Sequence, residues 1–172
     1  MLLVGGCTTR FNAINLNPNQ AETTNDIYYM TKAIVSTAYD YQNEAYMGRP
    51  AEAGRYITLV RNEGDDNFGW SAGSWDGDYL RLTTVKALQD QATQENADQY
   101  VAIAEILYVF NFAYITDRWG DIPYSQALLS KDQQIIHPAY DQQKDIYPDM
   151  LAKLQDANDK LGKMLGPGSI VG

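Results

Sequence analysis

The chain has 172 residues, of which 45% are apolar, and a formal net charge of −9. That is enough for one domain with a real core, and it is too apolar for a disordered chain. The acidity, with no basic stripe anywhere, argues against recognition of nucleic-acid phosphates.

Residues 1–7 read MLLVGGC. A short apolar run, two small residues and a cysteine resemble the end of a bacterial lipoprotein signal, with Val4-Gly5-Gly6-Cys7 as the lipobox. The resemblance implies lipidation of Cys7 and removal of residues 1–6 as a signal remnant. The run is too short to span a bilayer. Residues 8–25 are rich in Asn and Thr, carry Pro18 and lack sustained periodicity, which suits a tether between anchor and folded body. Cys7 and His137 are the only residues of their types. An internal disulfide is therefore impossible, and a zinc site would need mostly carboxylates. Cys7 lies outside the expected folded body, which makes a Cys–His nucleophile pair a poor reading.

A first helix is expected over 26–46, with Ile27, Met30, Ile34, Ala38, Tyr41 and Ala45 on its inner face. Gly48, Arg49 and Pro50 break it. A second, shorter helix is expected over 51–61, turning Tyr56, Ile57, Leu59 and Val60 inward. Residues 62–74, NEGDDNFGWSAGS, hold three glycines and three acids without apolar period and read as a loop. A third helix follows over about 75–92, with Trp75, Tyr79, Leu82, Val85 and Leu88 in phase. Asn96 and Gln99 suggest a capping pair for the next helix, making a hairpin of the two.

That fourth helix is apolar on most sides. Tyr100, Ile103, Leu107, Phe110 and Tyr114 form one face, and Val101, Ala104, Tyr108, Phe112 and Ile115 the adjacent one. Such a helix needs neighbours on more than one side. It stops at Asp117-Arg118-Trp119-Gly120-Asp121-Ile122-Pro123-Tyr124, where Gly120 can take a positive φ and Pro123 cannot continue a helix. Residues 125–140 are expected to be mostly loop, with His137 held extended by Pro138. A last helix runs from near Asp141 or Asp145 to about 165, with Ile146, Met150, Leu154, Ala157, Leu161 and Met164 or Leu165 along one face. Pro148 fits best if the helix starts near Asp145; otherwise it implies a kink. No strong strand candidate stands out. The class is all-α, in antiparallel helix pairs.

Four features together carry a family resemblance: Cys7 with its tether, Gly64-Asp65-Asp66-Asn67-Phe68-Gly69-Trp70, Thr116 through the Trp119-Gly120-Asp121-Ile122-Pro123-Tyr124 turn to Leu128, and Pro138-Ala139-Tyr140-Asp141 followed by Asp145-Ile146-Tyr147. The chain resembles the N-terminal portion of a SusD-like (SusD/RagB) outer-membrane nutrient-binding lipoprotein, with 26–172 as part of its helical domain. The resemblance implies tetratricopeptide-like helix pairs with long loops and a lipid anchor on the cell surface. It also implies capture of glycans, or less often peptides, for a TonB-dependent transporter, without enzymatic activity or cofactor. Family chains are longer, so some apolar helix faces are expected to lack partners here.

Sugar binding uses flat aromatic faces together with amides, carboxylates or guanidinium groups. The 62–79 stretch supplies both: Phe68, Trp70, Trp75 and Tyr79 for stacking, and Asp65, Asp66, Asn67 and Asp76 for hydroxyls. Trp75 and Tyr79 share the third helix's apolar phase and read equally as core; Asn67 and Trp70 sit in no periodic pattern. Asp65-Asp66-Asn67 lacks the remaining oxygens of a calcium loop. Trp119, Gly120, Asp121, Pro123 and Tyr124 read as a structural turn. Two other classes stay open on residues alone: a glycoside hydrolase, which needs a carboxylate pair that nothing singles out among 22 acids, and a helical-repeat scaffold that binds proteins.

Overall fold

The computed structural model describes residues 26–47, 49–58 and 73–165. Its elements in chain order are α1 (Asp26–Met47), α2 (Arg49–Ala53), α3 (Asp76–Gln94), α4 (Asp98–Trp119), β1 (Ile122–Pro123), α5 (Ser130–Gln133), β2 (Tyr140–Asp141) and α6 (Gln143–Leu165). The all-α class holds; the only sheet among the described residues is a two-residue antiparallel bridge, Ile122 opposite Asp141 and Pro123 opposite Tyr140. Runs that short leave no period-2 pattern in the sequence, so no strand is legible there.

α4 is the central element and packs on α6, α3 and α1. Arg81 meets Asn111 and Tyr79 meets Phe112, which makes α3 and α4 an antiparallel pair. Tyr147 meets Asp117 and Lys160 meets Glu105, so α4 and α6 are antiparallel as well. Among the described helices α4 alone is long and apolar enough to cross a membrane. Burial of Val101, Ala104, Val109, Phe112 and Ile115 against its neighbours accounts for that apolar character. The core lies where α3, α4, the turn after α4 and α6 converge, and it includes Leu82, Phe112, Ile115, Ile122, Tyr124, Ile146 and Met150.

The α3–α4 connection departs from the expected capping pair. Ala97 N–H donates to Ala92 O at 2.8 Å and Asn96 N–H to Thr93 O at 3.3 Å, with Asn96 at φ +56. This is a Schellman closure of α3, in which Asn serves because it tolerates the left-handed region. Asn96 therefore ends one helix rather than starting the next, and Ala97 precedes α4 without a side-chain cap. The second helix is corrected in the same way. Arg55 at φ +58 closes α2, with Tyr56 N–H on Ala51 O at 2.9 Å, so the helix ends at Ala53, eight residues before the expected 61, and Tyr56 is 87% exposed. Leu59 and Val60 lie outside the described residues.

α1 is rotated relative to the expected phase. Ala33 and Thr37 are buried, while Ile34, Val35 and Tyr39 are exposed. Small side chains at 33 and 37 let the helix backbone approach its neighbours, and close packing outweighs the larger apolar residues beside them. Exposed apolar side chains also occur among the described residues of α4 (Ile106) and α6 (Leu151, Leu154, Met164). α6 begins at Gln143, between the two expected starts at Asp141 and Asp145, and Pro148 falls in its second turn. Proline there removes one helical hydrogen bond, the one that would reach Lys144 O.

Gly120 ends α4 at φ +74, its N–H donating to Thr116 O at 2.7 Å. A Cβ at Gly120 would meet nothing within 4 Å, so any cost of substitution is backbone strain alone. Gly120→Ala is expected to destabilise the chain by ~1–3 kcal/mol in chemical denaturation, with no change in m-value.

Candidate functional site

The turn after α4 works as a clamp. Ile122 is fully buried and Tyr124 nearly so. Asp121 Oδ1 accepts from Gln143 N–H at 2.9 Å, capping the start of α6, while Gln143 Nε2 donates to Thr116 O at 2.8 Å near the end of α4. Each helix end thus receives its partner from the other segment, satisfying groups that helices leave open. Asp141 accepts from Ser125 N–H at 2.7 Å and Tyr124 N–H at 3.0 Å. Partial desolvation pushes its carboxyl up, but these donors outweigh it and leave the pKa below the usual value. The Tyr124 hydroxyl donates to Asp149 of α6. Burial holds the Tyr79, Tyr108 and Tyr124 phenols well above their ordinary pKa, so they stay protonated donors.

Against this clamp sits an aromatic shelf. Trp75, just before α3, packs edge-on to Trp119 at 5.6 Å between centroids and to Tyr79 at 5.9 Å, and lies 5.9 Å from Tyr140. Tyr79 donates its hydroxyl to Pro123 O at 2.6 Å and its ring touches Phe112, so it belongs mainly to the packing beneath. Trp75 and Trp119 are half-buried and Tyr140 is 62% exposed. Arg118 lies over the Trp119 ring at 4.6 Å and donates to the Tyr114 hydroxyl at 2.8 Å. The shelf therefore offers ring edges, one accessible phenol and a guanidinium at one surface.

Of the eight candidates from the 62–79 stretch, Asp65, Asp66, Asn67, Phe68 and Trp70 lie outside the described residues, as does Cys7. Trp75 and Tyr79 come together on the shelf, and Asp76 is exposed one residue away at the start of α3. The described chain resumes at Gly73, where an added Cβ would sit 3.6 Å from Trp119 Cζ2 and 3.8 Å from Arg118 Nη2. Gly73 thus lies directly against the shelf. Tyr140 and Arg118 were not among the ligand candidates. Tyr140 reaches Trp75 only through the β1–β2 register, across 65 residues of sequence, and no local pattern signals it. His137 is exposed in the loop before β2.

An antiparallel helical body with this clamp defines a class of helix-pair domains, and the comparisons make it specific. The family model described as "Starch-binding associating with outer membrane", SusD-like, matches residues 12–170, and the chain belongs to that family. A SusD homologue from Bacteroides fragilis NCTC 9343 is 33% identical with a TM-score of 0.53, the match covering 61% of this chain and 22% of that one. A protein of Bacteroides vulgatus ATCC 8482, named for outer-membrane nutrient binding, is 28% identical over 60% of this chain and 21% of its own, with a TM-score of 0.49. The chain thus matches about a fifth of the length of these solved relatives. No curated protein matches it significantly.

Proposed function

We propose that this chain is the glycan-capturing N-terminal part of an outer-membrane nutrient-binding lipoprotein. Residues 1–6 are a signal remnant, Cys7 carries the lipid, 8–25 tether the body to the cell surface of a Gram-negative bacterium, and 26–172 hold part of the binding face. The captured oligosaccharide passes to a TonB-dependent transporter, and the chain itself performs no catalysis and holds no cofactor. Family membership supports the outer-membrane and starch-binding setting.

The observation that carries the reading is the junction at Gly73. Gly73 lies against a half-exposed shelf of Trp75, Trp119 and Tyr140 beside Asp76, and the sequence that precedes it carries Asp65, Asp66, Asn67, Phe68 and Trp70. In this reading Trp70 and Trp75 stack on sugar C–H faces, Asn67 and the aspartates take hydroxyls, and Tyr79 holds the shelf in place. Affinity electrophoresis of the full chain in soluble starch and in other neutral polysaccharides tests it. Retardation by at least one glycan is expected, weakened about tenfold in Trp70→Ala, which corresponds to ~1.4 kcal/mol. No reducing ends should be released. Release that is lost with a single carboxylate would make the chain a glycosidase, and absence of retardation in every glycan would defeat the capture reading.

A further inference from the structure

Trp75 of the aromatic shelf is followed at once by α3. Along the outer face of that helix runs an open groove of about 1410 Å³. Asp76 and Tyr79 line its near end, and the Tyr79 ring packs on Trp75 at 5.9 Å. Gln94 and Glu95 line its far end. The groove therefore opens beside the shelf and follows α3 for its whole length. The helix has 19 residues, about 28 Å at ~1.5 Å each. Sites for small molecules hold ~300–1,000 Å³ and enclose most of the ligand. This groove is larger and open along its side, which suits a strand rather than a compact molecule.

Its lining defines the chemistry of that strand. Thr83, Gln94 and Gln126 offer hydroxyl and amide groups. Leu80 and Ile136 offer apolar surface and are 70% and 75% exposed. The charged side chains are Asp76, Asp90 and Glu95 against Lys86. Lys86 is held by Asp90 at 2.5 Å, and Glu95 accepts from the Gln91 amide at 3.0 Å. The surplus of carboxylates repels a polyanion. A neutral sugar strand suits all of these groups. Its hydroxyls donate to the carboxylates and exchange hydrogen bonds with the amides and hydroxyls. Its C–H faces cover Leu80 and Ile136. A basic peptide would match the carboxylates, but on the shelf it would meet the Arg118 guanidinium that lies over Trp119.

We propose that the groove on α3 is a strand-binding track continuous with the shelf, and that its ligand is a neutral polysaccharide long enough to lie on both. The inference rests on the glycan-capture reading and extends it. The shelf holds a short piece of the strand, and the groove adds contacts that only a longer strand can make. Long strands are thereby selected over short oligosaccharides, and acidic polysaccharides are rejected.

Titration calorimetry of the full chain with maltotriose and long-chain maltodextrin, and with xylotriose and xylan, tests this. For at least one pair the long ligand is expected to bind about tenfold tighter or more than the short one, because the second contact becomes intramolecular. Leu80→Ser with Gln94→Ala should weaken the long ligand about fivefold and leave the short one unchanged. Both substituted positions are exposed, so the melting temperature should not move. Polygalacturonate should not bind. Equal affinity of wild type and the double variant for the long ligand overturns the proposal, and the capture reading survives if Trp70→Ala still weakens both lengths. Binding of polygalacturonate, or of pentalysine in competition with the long ligand, assigns the groove to an anion or a basic peptide and also overturns it. No binding of any of the four sugars overturns it together with the capture reading.

Discussion

Phe112→Ala is expected to remove ~3–5 kcal/mol of stability, enough to leave a domain of ordinary stability marginal or unfolded. Among the described residues Phe112 is the largest fully buried side chain. Its ring meets Tyr108 at 4.5 Å, Tyr124 at 4.8 Å and Tyr79 at 5.9 Å. Those three rings come from α4, the clamp and α3, so the cavity left by alanine opens where three segments converge. Their hydroxyls limit how far they can relax into it. Tyr79 is held to Pro123 O and Tyr124 to Asp149, and closing the void would strain or break those bonds. Phe112→Leu keeps most of the volume and should cost clearly less. Thermal unfolding followed by near-ultraviolet circular dichroism distinguishes the two. At ~2–4 °C per kcal/mol for a chain of this size, the alanine variant should melt roughly 10 °C or more below wild type. A shift below a few degrees would mean that the site collapses freely and that the cluster is not tightly packed.

The parts of this fold that are written locally can be read from the sequence. α3 and α6 show their buried phase because Leu82, Val85 and Leu88, and Ile146, Met150 and Ala157, recur at helical spacing. Gly120 and Pro123 mark the end of α4 by chemistry that no neighbour can override. The parts that fail locally depend on tertiary contact. In α1 apolar residues occupy several sides, and packing selects the face with Ala33 and Thr37. Arg55 and Asn96 take the left-handed conformation, and only Asn carries any sequence hint of it. The cross-caps of Asp121 on Gln143 and Gln143 on Thr116 join positions more than 20 residues apart. The shelf repeats this pattern: Trp75 is visible in the helical phase, whereas Tyr140 and Arg118 reach it only through the turn geometry. The strongest loop candidates, Asn67 and Trp70, lie outside the described residues.

The buried polar residue next to Phe112 gives the second large expected effect, by a different mechanism. Asn111 is 2% exposed and ties three helices together. Its Oδ1 accepts from Arg81 Nε of α3 at 2.7 Å, and its Nδ2 donates to Thr37 Oγ1 of α1 at 3.0 Å and to Leu107 O within α4 at 2.7 Å. Arg81 also pairs with Asp78 at 2.6 Å, and both are largely buried. Asn111→Leu preserves volume but deprives a buried guanidinium of an acceptor and Thr37 of a donor. Hydrogen bonds to charged groups contribute ~1.5–3 kcal/mol, and a buried group left unmatched loses its solvation as well, so the cost should be ~2–4 kcal/mol. Thr37→Val removes only the neutral bond and should cost about 1 kcal/mol. Because the two changes break the same contact, the double variant should cost less than the sum of the singles. The location of the damage separates this variant from Phe112→Ala. Residues 111 and 112 lie about 100° apart around α4; both touch α3, and beyond it Asn111 reaches α1 while Phe112 enters the junction of clamp and α6. Hydrogen exchange in Asn111→Leu should therefore rise first across α1, with α6 amides protected up to global unfolding, whereas Phe112→Ala should loosen α6 and the clamp together. Equal loosening of α1 and α6 in both variants would mean that the helices form one cooperative unit with no separable α1 contact.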